Sequence, residues 1–335
     1  MFWQKYTTLF AFIILLGCRT DVELVSPEAR EKLVVYGILS ADSDTQYIRV
    51  GRLFVTREDA AAYAARTDLS VSAQVRLTDG IRVWVAIPET VIKIPDKPFF
   101  PLHIVYKIPM RPVPRAEYTL FVEVPEKPSL NVEATTIVPS RPYIIRPDSI
   151  VYIASLPAYP TIDLTKKYII QFFPQFPTQL PPLAGGYELS FVFRYGEVRE
   201  GDTVWRTLVI GPRRLPAVGP SIQSYVLQER ELLSTAYANL FPFSYPLVYN
   251  NSLLGEAWSI RLTALDTALY TYLRVNDPAY TDFTTVKPEY TNIKNGLGVF
   301  GSIASSIRYF RIDSCSEYLL RLNEAPPPAT SCSLE

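Results

Sequence analysis

The chain has 335 residues and carries 33 Lys plus Arg against 33 Asp plus Glu, so it has no field of one sign to attract nucleic acid or an anionic membrane face. Apolar residues make up 48%, too many for a disordered chain, and 22 Tyr, 17 Phe and 29 Pro against 14 Gly favour strands joined by stiff loops. His103 is the sole histidine, which excludes a histidine-rich metal site and leaves a Ser-His-Asp triad a single candidate base inside a Pro-rich segment.

At the N-terminus, Lys5 precedes the apolar run Leu9 to Leu16, which is too short for a permanent membrane helix. Residues 1–17 therefore read as a signal peptide. The run enters Leu15-Leu16-Gly17-Cys18, which resembles the bacterial lipobox, with a small residue just before the cysteine that receives diacylglycerol. Cleavage before Cys18 and lipidation of its thiol, palmitate being one such acyl group, would anchor the chain, because two or three acyl chains hold a protein durably where one does not. The competing reading is a plain secretory leader with a chance cysteine; it lacks a nearby A-x-A site. Residues 18–32 then form a tether containing Asp21, Glu23, Glu28 and Glu31. With Cys18 lipidated, Cys315 and Cys332 remain as an even pair in an exported chain, where a disulfide persists.

Strands follow in order. Leu33 to Leu39 is β-rich, Ser40 to Asp44 turns the chain, and Tyr47 to Val55 alternates, which predicts a hairpin. Thr56-Arg57-Glu58-Asp59 before an Ala-rich stretch predicts a short helix capped by Thr56. Val71, Ala73, Val75 and Leu77 alternate with polar residues, Asp79-Gly80 turns, and Ile81, Val83 and Val85 continue, which predicts a second hairpin with one buried face. The prolines between Pro88 and Pro114 forbid a long central strand and leave Leu102 to Ile108 an edge position. With strands at Tyr118 to Val124 and Val132 to Val138, residues 33–140 read as an immunoglobulin-like or transthyretin-like sandwich.

Pro139 and Pro142 mark a boundary, after which residues 141–312 read as a second, larger β-sandwich domain. Strands at Ile150 to Ala154 and Tyr168 to Phe173 lead into a Pro- and Phe-rich loop ending at Pro182. Tyr187 to Tyr195 alternates and returns through Glu200-Gly201-Asp202 into Val204 to Ile210. Apolar spacing over residues 221–240 predicts one helix lying on a sheet. Trp258 to Ala264 is a strand, Asp266 caps a short helix near residues 267–275, and Leu297 to Phe300 and Ile307 to Ile312 are two further strands. Residues 313–335 form a tail that a Cys315–Cys332 disulfide would pin, at about 3 kcal/mol in the chain-entropy model.

Side chains that could meet a partner or ligand are Phe172, Phe173 and Phe176 around the Pro-rich loop, together with Trp205. Trp84, Trp205 and Trp258 all lie in strand-like segments, where a ring serves a core as readily as a sugar. No G-x-S-x-G or Walker pattern occurs, and Gly296-Leu297-Gly298-Val299-Phe300-Gly301, which has the G-x-G-x-x-G spacing, reads as part of a turn into a strand, so no cofactor is called for. A carboxylate pair for glycoside hydrolysis has no sequence signature, so the 33 acidic residues read first as solvated side chains.

Several blocks together resemble one family, the Bacteroidota lipoproteins grouped as domain of unknown function 4249. They are the lipobox, Lys32-Leu33-Val34-Val35-Tyr36-Gly37, the segment Val75 to Gly80, the Phe193 to Glu197 hairpin strand, and Pro288 to Gly301. The last block has a physical reading of its own, in which Asn292, Asn295, Gly296 and Gly298 turn the chain with positive φ before a buried strand. The resemblance implies an all-β, surface-exposed outer-membrane lipoprotein held by its lipid, often encoded beside a TonB-dependent β-barrel receptor, with no catalytic residues to carry over. A non-enzymatic accessory of such a transporter is the function expected. A free-standing carbohydrate-binding or glycan-processing module and a structural or adhesive envelope protein are the alternatives.

Overall fold

Alternation organises the first strand: Leu33, Val35 and Leu39 are fully buried, while Tyr36 and Ile38 between them are exposed. The computed structural model describes residues 31–54, 59–92, 102–174, 183–240, 247–277, 289–320, 322 and 332. Cys18, the signal and tether up to residue 30, Thr56 and Phe176 lie outside the described residues.

In chain order the strands are β1 (Leu33–Ser40), β2 (Gln46–Arg52), β3 (Gln74–Thr78), β4 (Val83–Val85), β5 (Ile87–Ile92), β6 (Leu102–Ile108), β7 (Glu117–Glu123), β8 (Val132–Ile137), β9 (Tyr143–Arg146) and β10 (Val151–Ile153). They continue with β11 (Leu156–Ala158), β12 (Thr161–Ile162), β13 (Tyr168–Phe173), β14 (Ala184–Arg199), β15 (Asp202–Pro216), β16 (Gln223–Leu227), β17 (Leu247–Val248), β18 (Trp258–Asp266) and β19 (Leu297–Ile312). The helices are α1 (Ala60–Arg66), α2 (Glu231–Leu240), α3 (Thr267–Val275) and α4 (Ser314–Leu319). The fold is all-β with a few short helices.

One ten-stranded sheet runs in the order β15-β14-β18-β19-β1-β2-β6-β5, with β12 and β17 attached at its sides. A four-stranded sheet, β4-β3-β7-β8, covers its N-terminal half, and the buried side chains between them include Val35, Ile48, Leu77, Tyr106, Leu120 and Phe300. A three-stranded sheet, β16-β13-β9, and helix α2 cover the other half around Phe172, Tyr187, Phe193, Trp258 and Phe310. The two cores share one sheet, and the first of them takes Ile293, Phe300 and Ala304 from beyond residue 142. β19 supplies Phe300 to one core and Phe310 to the other, and residues 32–335 form one unit.

β1 joins β19 in parallel, Val34 opposite Leu297 and Ser40 opposite Ile303. That seam needs glycine: Gly298 has φ +106°, and a Cβ there would stand 2.0 Å from the Val35 carbonyl oxygen. Asn295 also has positive φ, at 63°, and its amide donates to the carbonyls of Ser129 and Asn131, while Asn292 brackets the backbone N–H and C=O of Phe300. A polar link crosses between the sheets, where Thr136 Oγ1 on β8 donates to Asp266 Oδ2 at 2.7 Å and lies 2.8 Å from Ser302 Oγ on β19.

Five sequence expectations change. The helix over residues 221–240 begins only at Glu231, because Gln223 to Leu227 pairs with β13 and Arg230 has φ 56°, which breaks a continuous helix. The two strands expected after residue 297 are one, since the small residues of Gly301 to Ser306 are held between the backbones of β1 and β18. β6 lies inside the sheet between β2 and β5, and the outer strand β5 carries Pro88 at the edge that proline tolerates. α1 begins only at Ala60, where Asp59 caps it by accepting from Ala62 N at 2.8 Å.

The fifth change concerns the hairpin at Asp79-Gly80. Its register sets Val83 opposite Thr78, Trp84 opposite Leu77 and Val85 opposite Arg76. Directly opposed residues share a face, so Trp84 joins Leu77 toward the core and the valines face outward.

Candidate binding site

Glu200 and Gly201 both have positive φ, 51° and 92°, and close β14 and β15 into a tight hairpin. Across it Trp205 stands opposite Gly196 and Thr207 opposite Arg194, so these four positions share one face. Glycine at 196 makes room, since a Cβ there would lie 2.4 Å from Thr203 Cγ2 and 2.9 Å from Val248 Cγ2, and the Trp205 ring lies just beyond. The indole remains 61% exposed. Arg194, Trp205, Asn250, Leu254, Glu256 and Ala257 line an open groove of about 410 Å³.

Backbone bonds fix the walls of this groove. Arg194 N donates to Ala257 O at 2.8 Å, and Asn250 Oδ1 accepts from Ser252 N at 3.1 Å. Below the floor Phe193 stacks on Trp258 at 4.1 Å and on Tyr195 at 5.2 Å, which makes the hairpin rigid. On the hairpin Arg199 and Arg206 hold the buried Glu197 at 2.5 and 3.6 Å and, farther along, Arg213 holds Glu231 at 3.0 Å, while Arg311 donates to the carbonyl of Asn251, beside Asn250, at 3.0 Å. By contrast, the side chains of Arg194, Trp205 and Glu256 make no hydrogen bond or ion pair among the described residues. Burial raises the Tyr159 phenol, and the Glu256 charge adds to that through space.

A second surface follows from the hairpin register. Ile81, Val83, Val85 and Ile87 are 93, 60, 65 and 58% exposed. β4 is the outer strand of the four-stranded sheet and β5 that of the ten-stranded one, so a single stretch of chain forms a free edge of both. Its charges are settled within the chain. Arg82 lies over Trp84 at 5.0 Å and pairs with Asp79 at 2.8 Å, and Glu89 pairs with Lys107 at 3.7 Å. Hydrogen bonds from the Arg82 backbone, then from its side chain, hold the Asp79 carboxyl below its ordinary value.

Of the described residues put forward from sequence, Trp205 alone is found open. Phe172 is fully buried against Tyr187 at 5.2 Å, which removes it as a surface contact, because β13 turns it inward over the sheet. Its neighbour Phe173 is half-buried and does not approach Trp205's groove. Trp258 is core, and Trp84 is half-covered by Arg82. His103 lies beside Arg49 and Ser70 in a cavity of about 200 Å³, with no carboxylate among the residues lining it. Cys315 and Cys332 are joined as a disulfide. Sequence reasoning missed Arg194, Asn250 and Glu256, which register and loop folding bring to Trp205, and it placed Ile81, Val83 and Val85 on a buried face.

Among the described residues, no three His, Cys, Asp or Glu side chains form a metal-binding group, and no helix is long and apolar enough to cross a membrane. No curated protein matches the chain. A family model described as Domain of unknown function (DUF4249) matches residues 19–308, from just after Cys18 into the last long strand, and the chain belongs to that family.

Proposed function

We propose that the protein is a non-enzymatic lipoprotein, anchored to the outer membrane through lipid on Cys18 and exposed at the cell surface, that docks on a TonB-dependent β-barrel transporter as its accessory. The observation that carries this reading is the outward stripe Ile81, Val83, Val85 and Ile87 along two free strand edges. Soluble proteins keep such edges short, charged or covered, because unpaired backbone N–H and C=O groups beside apolar side chains recruit other strands. A partner that adds a strand satisfies those backbone groups and covers the stripe, each side chain contributing about 1.5–3 kcal/mol on full burial before the cost of association. The internally paired charges leave this edge neutral, which fits an apolar, uncharged strand. The lipobox at Leu15 to Cys18 would hold the chain beside membrane-embedded partners.

The test is a gentle-detergent pull-down of the native lipidated protein from outer membranes, with mass spectrometry of what accompanies it. A stoichiometric TonB-dependent barrel, lost when Val83→Lys and Val85→Lys are combined, is the expected result. Recovery of the lipoprotein alone, or of a barrel that the double variant retains, overturns the docking reading.

A further inference from the structure

We infer that the groove at Trp205 is a binding site for a neutral saccharide. The inference stands apart from the docking edge, since β15 and β5 are the two outermost strands of the same sheet.

Arg194 offers guanidinium donors, Glu256 offers carboxylate acceptors, Trp205 offers an indole N–H, and the Asn250 amide offers both kinds. None of the first three is engaged by another described side chain, although the arginines of β15 and of the end of β14 are paired. A sugar hydroxyl donates one hydrogen bond and accepts others, so a ring bearing several hydroxyls uses such a mixed set where a purely donating or accepting ligand cannot. The indole supplies a flat apolar face for the C–H face of a pyranose, as aromatic rings do where one side of a ligand is apolar and its rim polar. One guanidinium and one carboxylate cancel, which leaves a phosphate, an acidic sugar or a cation a repelling partner as well as an attracting one. The volume of about 410 Å³ lies within the range of about 300–1,000 Å³ typical of small-molecule sites. The stacked rings beneath the hairpin stiffen β14, to which the strand carrying the indole is paired, so little backbone ordering is needed on binding.

The experiment uses the full lipidated protein in a detergent with no sugar headgroup. A panel of neutral gluco-, manno- and galacto-oligosaccharides is titrated at up to millimolar concentration and followed by calorimetry and by indole fluorescence. At least one panel member should bind, with an affinity that falls about tenfold in Trp205→Ala, partly recovers in Trp205→Phe, and falls in both Arg194→Ala and Glu256→Gln. Thermal unfolding of all four variants should match the parent, because these side chains are exposed. Val83→Lys with Val85→Lys should bind the saccharide unchanged, so loss of barrel docking and loss of saccharide binding are separate outcomes. Binding by no panel member, binding that Trp205→Ala leaves intact, or preference for charged saccharides or extended peptides overturns the inference.

Discussion

β15 and β5 close the same ten-stranded sheet at its two ends, and they treat water differently. β15 is fifteen residues long and would be a hazard if it were flat and apolar. Its register against β14 slips between Leu189 and Phe191, Gly211 sits at φ 108°, and Arg206, Arg213 and Arg214 project along it into ion pairs. β5 is six residues, all exposed, paired to β6 without a slip, and it continues the bare Val83 and Val85 of β4. Charges and bulges are the usual defence of an edge against another strand. One end of the sheet has both and shelters a groove suited to a small ligand, whereas β4 and β5 at the other show no register slip and carry a single charge, Glu89, paired with Lys107, over a stretch long enough for a protein partner.

Cutting the sheet between its two ends should have the largest effect. Gly298→Ala forces a Cβ onto the Val35 carbonyl at a positive φ, and we expect a loss of at least about 4 kcal/mol in urea unfolding, the size reserved for a broken backbone seam. A variant as stable as the parent would refute the parallel β1–β19 register. Next comes the polar link in the middle of the sheet. Asp266→Ala removes the cap of α3 and the acceptor for Thr136, for a loss of about 2–3 kcal/mol, and Asp266→Asn should lose less.

The same residue makes stability depend on pH. Burial raises the Asp266 carboxyl above its ordinary value of 3.8, although hydrogen bonds from Thr136 and the Leu269 amide oppose the shift. A raised native pKa means that the folded chain holds the proton more tightly, so this contribution is fully present below the unfolded value and is lost as pH rises through the native one. In Asp266→Asn the slope of stability against pH in that window should flatten. Smallest in stability are the edge variants. Val83→Lys with Val85→Lys on one edge, and Thr203→Lys with Thr207→Lys on the other, should each change stability by no more than about 0.5 kcal/mol. Barrel recovery should fall in the first pair and hold in the second, which turns the contrast between the edges into a measurement.

The sequence disclosed the elements whose alternation is bounded by strong turns. Tyr187 to Tyr195 with Val204 to Ile210 is readable because Glu200-Gly201 fixes the register, and the β1–β2 hairpin for a similar reason. It could not say which face of Ile81 to Val85 looks inward, since outward Ile and Val around the inward Trp84, with an exposed Arg82 over that ring, invert the usual pattern. That choice belongs to the pairing with Thr78 and Arg76. β19 read as two strands because glycine, serine and alanine in its middle have weak strand preference, which neighbouring backbones override. Trp205 was legible only as an aromatic residue in a strand. Its exposure depends on Gly196 opposite and on Asn250 to Ala257 folding back beside it, contacts between segments far apart in the chain.

The parallel pairing of β1 with β19 also sets an order of assembly. Hairpins such as β1–β2 and β14–β15 need only local contacts and can form as the chain emerges, but residue 34 must wait for residue 297 before its other side is paired. Until then the N-terminal half has a further open edge, in the middle of what will become the sheet, and the finished protein has hidden it. A chain emerging from its N-terminus would therefore be stickiest while incomplete, and its last long strand acts as the latch that ends that exposure.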